Sequence, residues 1–144
     1  MSYLLDVNYL VALFDARHVN HDAAHRRFGT FAADWATCST TENGCVRVLS
    51  NPAYPTVSAT PVEVLDRLAR FCDSGGHSYW EDDRSLRRSL DDDVKRRLQG
   101  HQQLTDFHLA VLAAHRRGHL VTFDGRLLRS LTGTNLEGAV FLVE

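Results

Sequence analysis

Short apolar runs alternate with helical patterns along this chain, and that alternation restricts the fold more than any other feature of the sequence. Tyr3-Leu4-Leu5 reads as a short buried strand, and Asn8 to Asp15 follows with Tyr9, Leu10, Leu13 and Phe14 at helical spacing. A second helix is predicted over Asn20 to Phe31, then a strand over Trp35 to Cys38. Ser39-Thr40-Thr41-Glu42 supplies a Ser-x-x-Glu capping pattern ahead of Val46, Val48 and Leu49. Thr60-Pro61 opens another helix, with Val64, Leu65, Leu68 and Phe71 on one face and a stop near Gly75-Gly76. His77 to Trp80 is a strand candidate, and the polar stretch from Asp82 to Gly100 reads as one or two short helices. Thr105 to Arg117 is the clearest helix, ended by Gly118. A strand over His119 to Phe123, a short helix over Gly125 to Leu131 and a strand over Ala139 to Val143 complete the pattern. Such alternation predicts an α/β fold: a short parallel central sheet in a three-layer α/β/α arrangement. The chain has 144 residues, enough for one domain with a real core and too few for two.

Four acids sit at the edges of these apolar runs. Asp6 ends the first strand, Glu42 opens a helix, Asp106 precedes Phe107-His108-Leu109-Ala110, and Asp124 ends Leu120-Val121-Thr122-Phe123. In parallel sheets, ligands bind outside the carboxyl ends of the strands, where Asp6 and Asp124 are expected and where βα helices begin. Clustered carboxylates repel one another unless a cation lies among them, so the set predicts a site for a hard divalent ion, Mg²⁺ or Mn²⁺. One or two acids would bind directly and the rest would orient waters, giving phosphoryl-transfer chemistry. Each acid taken alone also fits a plainer role, as a helix cap, a first-turn charge or a turn residue.

The remaining composition narrows the function classes. No apolar stretch approaches the roughly 18–20 residues of a membrane span, and no basic segment precedes the first apolar run as in a signal peptide. Cys38, Cys45 and Cys72 form no C-x-x-C pair, which favours reduced thiols and a cytoplasmic protein. A net charge of −2 restricts any nucleic-acid contact to a local patch, and the Arg-rich stretch from Arg84 to Arg97 is broken by Asp91-Asp92-Asp93 as on a solvated helix surface. His21 and His25 share a helix face at zinc-binding spacing, but no third ligand is evident and a polar helix face is the better reading. His108 and His115 read as satisfied or exposed histidines, Trp35 and Trp80 as core. Tyr9, Leu13 and Phe28 could fill the core or line a groove for an amphipathic partner segment.

Taken in order, Leu4-Leu5-Asp6-Val7-Asn8, Thr41-Glu42-Asn43-Gly44-Cys45-Val46-Arg47, Thr105-Asp106-Phe107-His108-Leu109-Ala110 and Thr122-Phe123-Asp124 resemble the acidic motifs of PIN-domain ribonucleases. The run from Ala36-Thr37-Cys38 to Arg47-Val48-Leu49-Ser50-Asn51-Pro52 is similar to that of VapC toxins of toxin–antitoxin pairs. The resemblance covers almost the whole chain and implies a single PIN domain over residues 1–144. It implies a Mg²⁺- or Mn²⁺-dependent endoribonuclease whose metal and catalytic residues are Asp6, Glu42, Asp106 and Asp124, with Asn8 and Thr122 as supporting polar groups. It also implies an RNA substrate, a VapB-type antitoxin, a homodimer, contact with DNA only through the antitoxin, and no membrane association. Two alternatives stay open at this point: a PIN nuclease of RNA maturation, and a non-catalytic α/β binding module whose acids act as caps. A haloacid-dehalogenase-like phosphatase fits less well, because Asp6-Val7-Asn8 lacks a second Asp.

Overall fold

Strands form at all five expected places in the computed structural model, which describes residues 1–144. They are β1 (Tyr3–Leu5), β2 (Trp35–Cys38), β3 (His77–Trp80), β4 (His119–Thr122) and β5 (Val140–Leu142). All pair in parallel, in the order β3-β2-β1-β4-β5. Tyr3 lies opposite Trp35 and His119, and Leu5 lies opposite Val121. Alternate side chains therefore leave on opposite faces, and both faces are buried, as parallel sheets require.

The helices divide between those two faces. Leu5, Trp35 and Val121 pack with α1 (Val7–Phe14), α2 (His21–Phe31), α3 (Ser39–Ser50) and α4 (Pro61–Asp73). Leu4, Ala36, Cys38 and Leu120 pack with α7 (Leu104–His115) and α8 (Gly125–Leu131). Between β3 and α7, the polar stretch forms α5 (Leu86–Ser89), α6 (Asp92–Arg97) and a 3₁₀ turn over His101–Gln103. The result is the three-layer α/β/α architecture. Tyr9, Leu13, Trp35 and Trp80 are buried, Phe28 packs against the cluster that holds Tyr9, Leu13 and Trp35, and Leu13 also borders an open hollow with Phe14, His25 and Phe71.

The strand order creates the crevice on which the site depends. The chain steps from β1 to β2 to β3 in one direction, then returns to place β4 on the other side of β1. At that reversal the loops leaving β1 and β4 diverge. Asp6 follows β1 and Asp124 follows β4 within two residues, so both acids lie at the switch point.

Local chemistry sets the helix ends. Thr60 and Glu63 exchange backbone-to-side-chain hydrogen bonds, both 3.1 Å, with Pro61 in the first turn of α4. His21 Nδ1 and His25 Nε2 lie 2.8 and 3.0 Å from the carbonyls of Ala12 and Leu13. They satisfy the open C-terminal end of α1. Buried Asp15, just past α1, accepts from Tyr54 Oη at 2.7 Å, from the Arg17 N–H at 2.9 Å and from the Thr56 hydroxyl. Burial pushes its carboxyl up, but these three hydrogen bonds outweigh it and hold the group below its usual range.

Two helices depart from their sequence-based bounds. The expected cap of α3 was Ser39, but β2 runs straight into the helix and Cys38 takes the cap position, with its N–H donating to Thr41 Oγ1 at 3.0 Å. The Ser39 hydroxyl turns instead to Asp82 at 2.8 Å. The α7 helix stops at His115, two residues early, where Arg117 adopts a left-handed φ of 55°. There Gly118 passes under Ser2: a Cβ on it would stand 2.5 Å from the Ser2 carbonyl oxygen.

A second glycine fixes the spacing of α1 and α3. A Cβ on Gly44 would lie 2.5 Å from Val7 Cγ2, so α3 sits directly against the first turn of α1, beside Asp6. Gly→Ala in a helix ordinarily stabilises by about 1 kcal/mol. Here Gly44→Ala is expected to destabilise the protein by about 1–3 kcal/mol in urea denaturation. Adding Val7→Ala should recover part of that loss, a non-additivity that two independent substitutions would not show.

Candidate active site

Asp6 is the N-cap of α1: its Oδ1 accepts from the Val7 N–H at 2.7 Å, and its own N–H donates to the Val121 carbonyl at 3.0 Å. Only 4% of it is exposed. Burial raises its carboxyl above the usual range. The Thr122 hydroxyl and the Val7 N–H oppose that rise, and the charge of Asp124 adds to it.

Asn8, the second residue of α1, reaches across to β4. Its Nδ2 donates to Thr122 Oγ1 at 3.0 Å, and its Oδ1 accepts from the Phe123 N–H at 3.1 Å. Thr122 is fully buried, and its hydroxyl also accepts from the Asp124 N–H at 3.0 Å. Asp124 in turn caps α8 by accepting from the Arg126 N–H at 2.9 Å. A chain of short polar contacts thus sets the position of Asp124 relative to Asp6.

Asp106 enters from the other layer, on the first turn of α7. Burial, then the charges of Asp6 and Asp124, push its carboxyl up to about 6, with Arg126 opposing. Asp6, Asp106 and Asp124 therefore share one electrostatic environment. Asp106 and Asp124 line an open cleft of about 560 Å³ with Gln102, Gln103, Arg126 and Arg129. A second hollow of about 430 Å³, between Asn8 and Arg129, shares Asp124, Arg126 and Arg129 with it.

Glu42 is not among the charges that act on Asp6 or Asp106. It accepts from Thr37 Oγ1 at 2.5 Å, and its charge bears on Cys45, Cys72 and His77 rather than on the three aspartates. The reason is angular. Successive residues of an α-helix turn by about 100°. Gly44 faces Val7 beside Asp6, so Glu42, two residues earlier, lies about 200° away around the helix.

Asp82, not singled out from the sequence, sits two residues past β3. It accepts from Ser39 Oγ, the Thr40 N–H, Thr40 Oγ1 and His108 Nε2, at 2.8 to 3.0 Å. Burial pushes it up, but His108, Ser39 and Thr40 more than compensate and hold it at about 2. It docks the start of α3 onto α7, the helix that carries Asp106. The sequence signal was present, an acid just past a strand, but it lay at the edge of a polar stretch with no apolar run after it.

A PIN-domain model matches residues 3–131. The chain belongs to the PIN-domain family. Among its relatives are Ribonuclease VapC39 of Mycobacterium tuberculosis, 41% identical over 95% of this chain and 99% of that protein, and Ribonuclease VapC44 of the same organism, 39% identical over 96% and 94%. These place it with the VapC members of the PIN-domain family. The fold is that of PAE2754 from Pyrobaculum aerophilum, with a TM-score of 0.60 over 97% of this chain and 83% of that one at 24% identity.

The PIN-domain cluster fits a hard divalent cation. Asp6, Asp106, Asp124, Asn8 and Thr122 offer only oxygen and amide groups, with no thiol or imidazole among them. Burial and mutual repulsion raise Asp6 and Asp106, a cost that a bound cation would remove. The carboxylates are splayed, since three ligating groups come within 4.8 Å of one another only at Glu42, Cys72 and His77. That spacing suits an ion that retains several waters.

The elevated Asp106 predicts an inverted pH response in chelator-treated protein. The folded state binds this proton more tightly than the unfolded state, so the penalty is fully present above about pH 6 and gone near pH 4. Asp106→Asn should therefore be the more stable protein at neutral pH by roughly 1–2 kcal/mol, allowing for solvent screening. That advantage should vanish between about pH 6 and 4, as read from paired urea melts. An advantage independent of pH would separate Asp106 from the repulsive cluster.

Proposed function

We propose that this protein is a divalent-metal-dependent endoribonuclease, the toxin of a toxin–antitoxin pair. The observation that carries the reading is the convergence of Asp6, Asp106 and Asp124 at the sheet's switch point, in a chain 41% identical to a protein named a ribonuclease. Asp6 and Asp106 are the direct ligands of Mg²⁺ or Mn²⁺, and Asp124 holds coordinated water. A bound ion supplies a Lewis acid for a phosphate oxygen and an activated water. Asn8 and Thr122 are positioning residues: they fix the backbone of Phe123 and Asp124 and so the distance across the crevice.

Arg126 and Arg129 border both hollows beside Asp124. Arg126 is 87% exposed, with its Nε 3.8 Å from Asp124. These guanidinium groups are placed to draw a phosphate backbone toward an otherwise acidic cleft. Unpaired RNA suits an open cleft better than a duplex does, since its bases and phosphates are accessible from one side. The biological reading includes a VapB-type antitoxin that silences the enzyme and carries any DNA contact, a homodimer, and action in the cytoplasm by the single domain of residues 1–144. No helix is long and apolar enough to cross a membrane.

Asp6→Asn is expected to keep the fold and abolish metal-dependent RNA cleavage and growth arrest. Without metal its melting temperature should hold or rise, because one repelling charge is gone and Asn also caps well. Glu42→Gln should lower cleavage less than Asp6→Asn does, since Glu42 accepts from Thr37 and does not act on the charges of Asp6 and Asp106. If the two variants lose activity equally, the three-aspartate assignment is wrong.

Metal linkage gives a second measurement. An ion at 100 times its dissociation constant stabilises by about 2.7 kcal/mol, or roughly 5–10 °C for a domain of this size. Mn²⁺ should produce such a shift in the wild type and little or none in Asp106→Asn. An equal shift in both would put the ion elsewhere.

A further inference from the structure

We propose that the larger cleft beside the aspartate cluster is a base-recognition subsite, in which the Gln102 carboxamide selects an adenine next to the scissile phosphate. The inference rests on the nuclease reading above and specifies what that site reads. The cleft, about 560 Å³, falls within the range of small-ligand sites, about 300–1,000 Å³. Its walls differ in chemistry. Asp106 and Asp124 join it to the proposed metal position, α8 lines it with Arg126 and Arg129, and the 3₁₀ turn before α7 lines it with Gln102. Phosphate and base therefore meet different groups. Guanidinium groups position a backbone without reading sequence, whereas a carboxamide reads a base edge.

The wall that carries Gln102 is held in place. Gln103, the next residue, accepts from the Gln99 N–H at 2.7 Å and from the Gly100 N–H at 3.1 Å, and its Nε2 donates to Ser130 Oγ on α8 at 3.3 Å. Arg97 donates to the carbonyls of Ser130 and Thr132 at 3.3 and 3.0 Å and so fixes the end of α8. Gln103 is thus committed to the turn, while Gln102 beside it stands exposed in the cleft. A carboxamide offers an acceptor and two donors. Side by side, they match the N6 amino group and the N7 acceptor of adenine. Unpaired RNA presents that edge, and a guanidinium plane of Arg126 or Arg129 can stack on the base. Phe107, the one aromatic residue of the lining, is fully buried, so edge contacts rather than aromatic stacking hold the base. The competing account makes Gln102 an ordinary solvated turn residue, and it predicts no base preference that depends on this side chain.

Two readouts keep this inference apart from the nuclease reading. Pooled single-stranded RNAs of random sequence are cut by the full chain with Mn²⁺, and the new ends are sequenced. Binding of short RNAs made only of A, only of C or only of U to Asp6→Asn protein is followed by fluorescence anisotropy, which needs no cleavage. The expected results are adenine enriched at one position flanking the cut, and the adenine RNA bound about tenfold more tightly than the pyrimidine ones. Gln102→Ala should remove both preferences, with an unchanged melting temperature as the check of its fold. Arg129→Ala should weaken binding of all three RNAs by a similar factor. Adenine-selective binding that Gln102→Ala removes, in a protein that cuts no RNA, would sustain the subsite and sink the nuclease reading. Cleavage without an adenine preference, binding indifferent to the base, or a preference that survives Gln102→Ala would each overturn the subsite.

Discussion

The carboxamide of Asn8 joins the two halves of the site, and the rest of the arrangement depends on it. It stands on α1, directly after the strand that delivers Asp6, and bonds to Thr122 and Phe123, directly before Asp124. One side chain thus spans the gap between β1 and β4 where the strand order reverses. Without it, two carboxylates on diverging loops would be free to relieve their repulsion by moving apart. With it, the loops keep their spacing while the acids stay mutually unfavourable, and a cation can then be bound by relief of existing strain in the charges rather than by new contacts alone.

The same economy explains why the acids are built into helix starts. Asp6 and Asp124 each accept a backbone N–H of the helix they cap. The positive end of each helix partly offsets the desolvation that burial imposes. Asp106, in the first turn of α7 but without a cap hydrogen bond of its own, is pushed up to about 6 by burial and by the charges of Asp6 and Asp124. Asp82 shows the fully satisfied case: with four hydrogen bonds and no acidic neighbour raising it, it falls to about 2. Four acids at one sheet edge therefore separate into structural and reactive groups by what donates to them, not by residue type.

Much of this was legible in the sequence. All five strands and the parallel architecture followed from apolar periodicity, and Asp6 and Asp124 stand just past strand ends, as their places in the sequence indicate. Asn8 and Thr122 were visible as polar neighbours of those acids, although their mutual bond was not, because it joins residues 114 positions apart. The surroundings of Glu42 were not legible, because its contacts with Thr37 and its proximity to His77 are set by packing. The start of α3 was read at Ser39 from its hydroxyl, while the cap lies at Cys38, and on a helix the face of a side chain depends on where the turn begins. Neither the cap nor Asp82, which takes up the Ser39 hydroxyl, can be placed from periodicity, since both depend on how α3 meets α7 in space.

The two faces of α3 make different contacts. Gly44 lets the helix lie against Val7, so its distance from the start of α1 is fixed by backbone-to-side-chain contact with no room to slide. The opposite face carries Glu42 toward Thr37 and His77. Its N-terminus is pinned through Ser39 and Thr40 to Asp82, and Asp82 is bonded to His108 on the helix of Asp106. Any displacement of α3 along its axis would therefore strain the contact beside Asp6 and the brace of α7 together. The close packing that keeps the aspartates in register is the same packing that holds the Glu42 side of α3 toward Thr37 and β3.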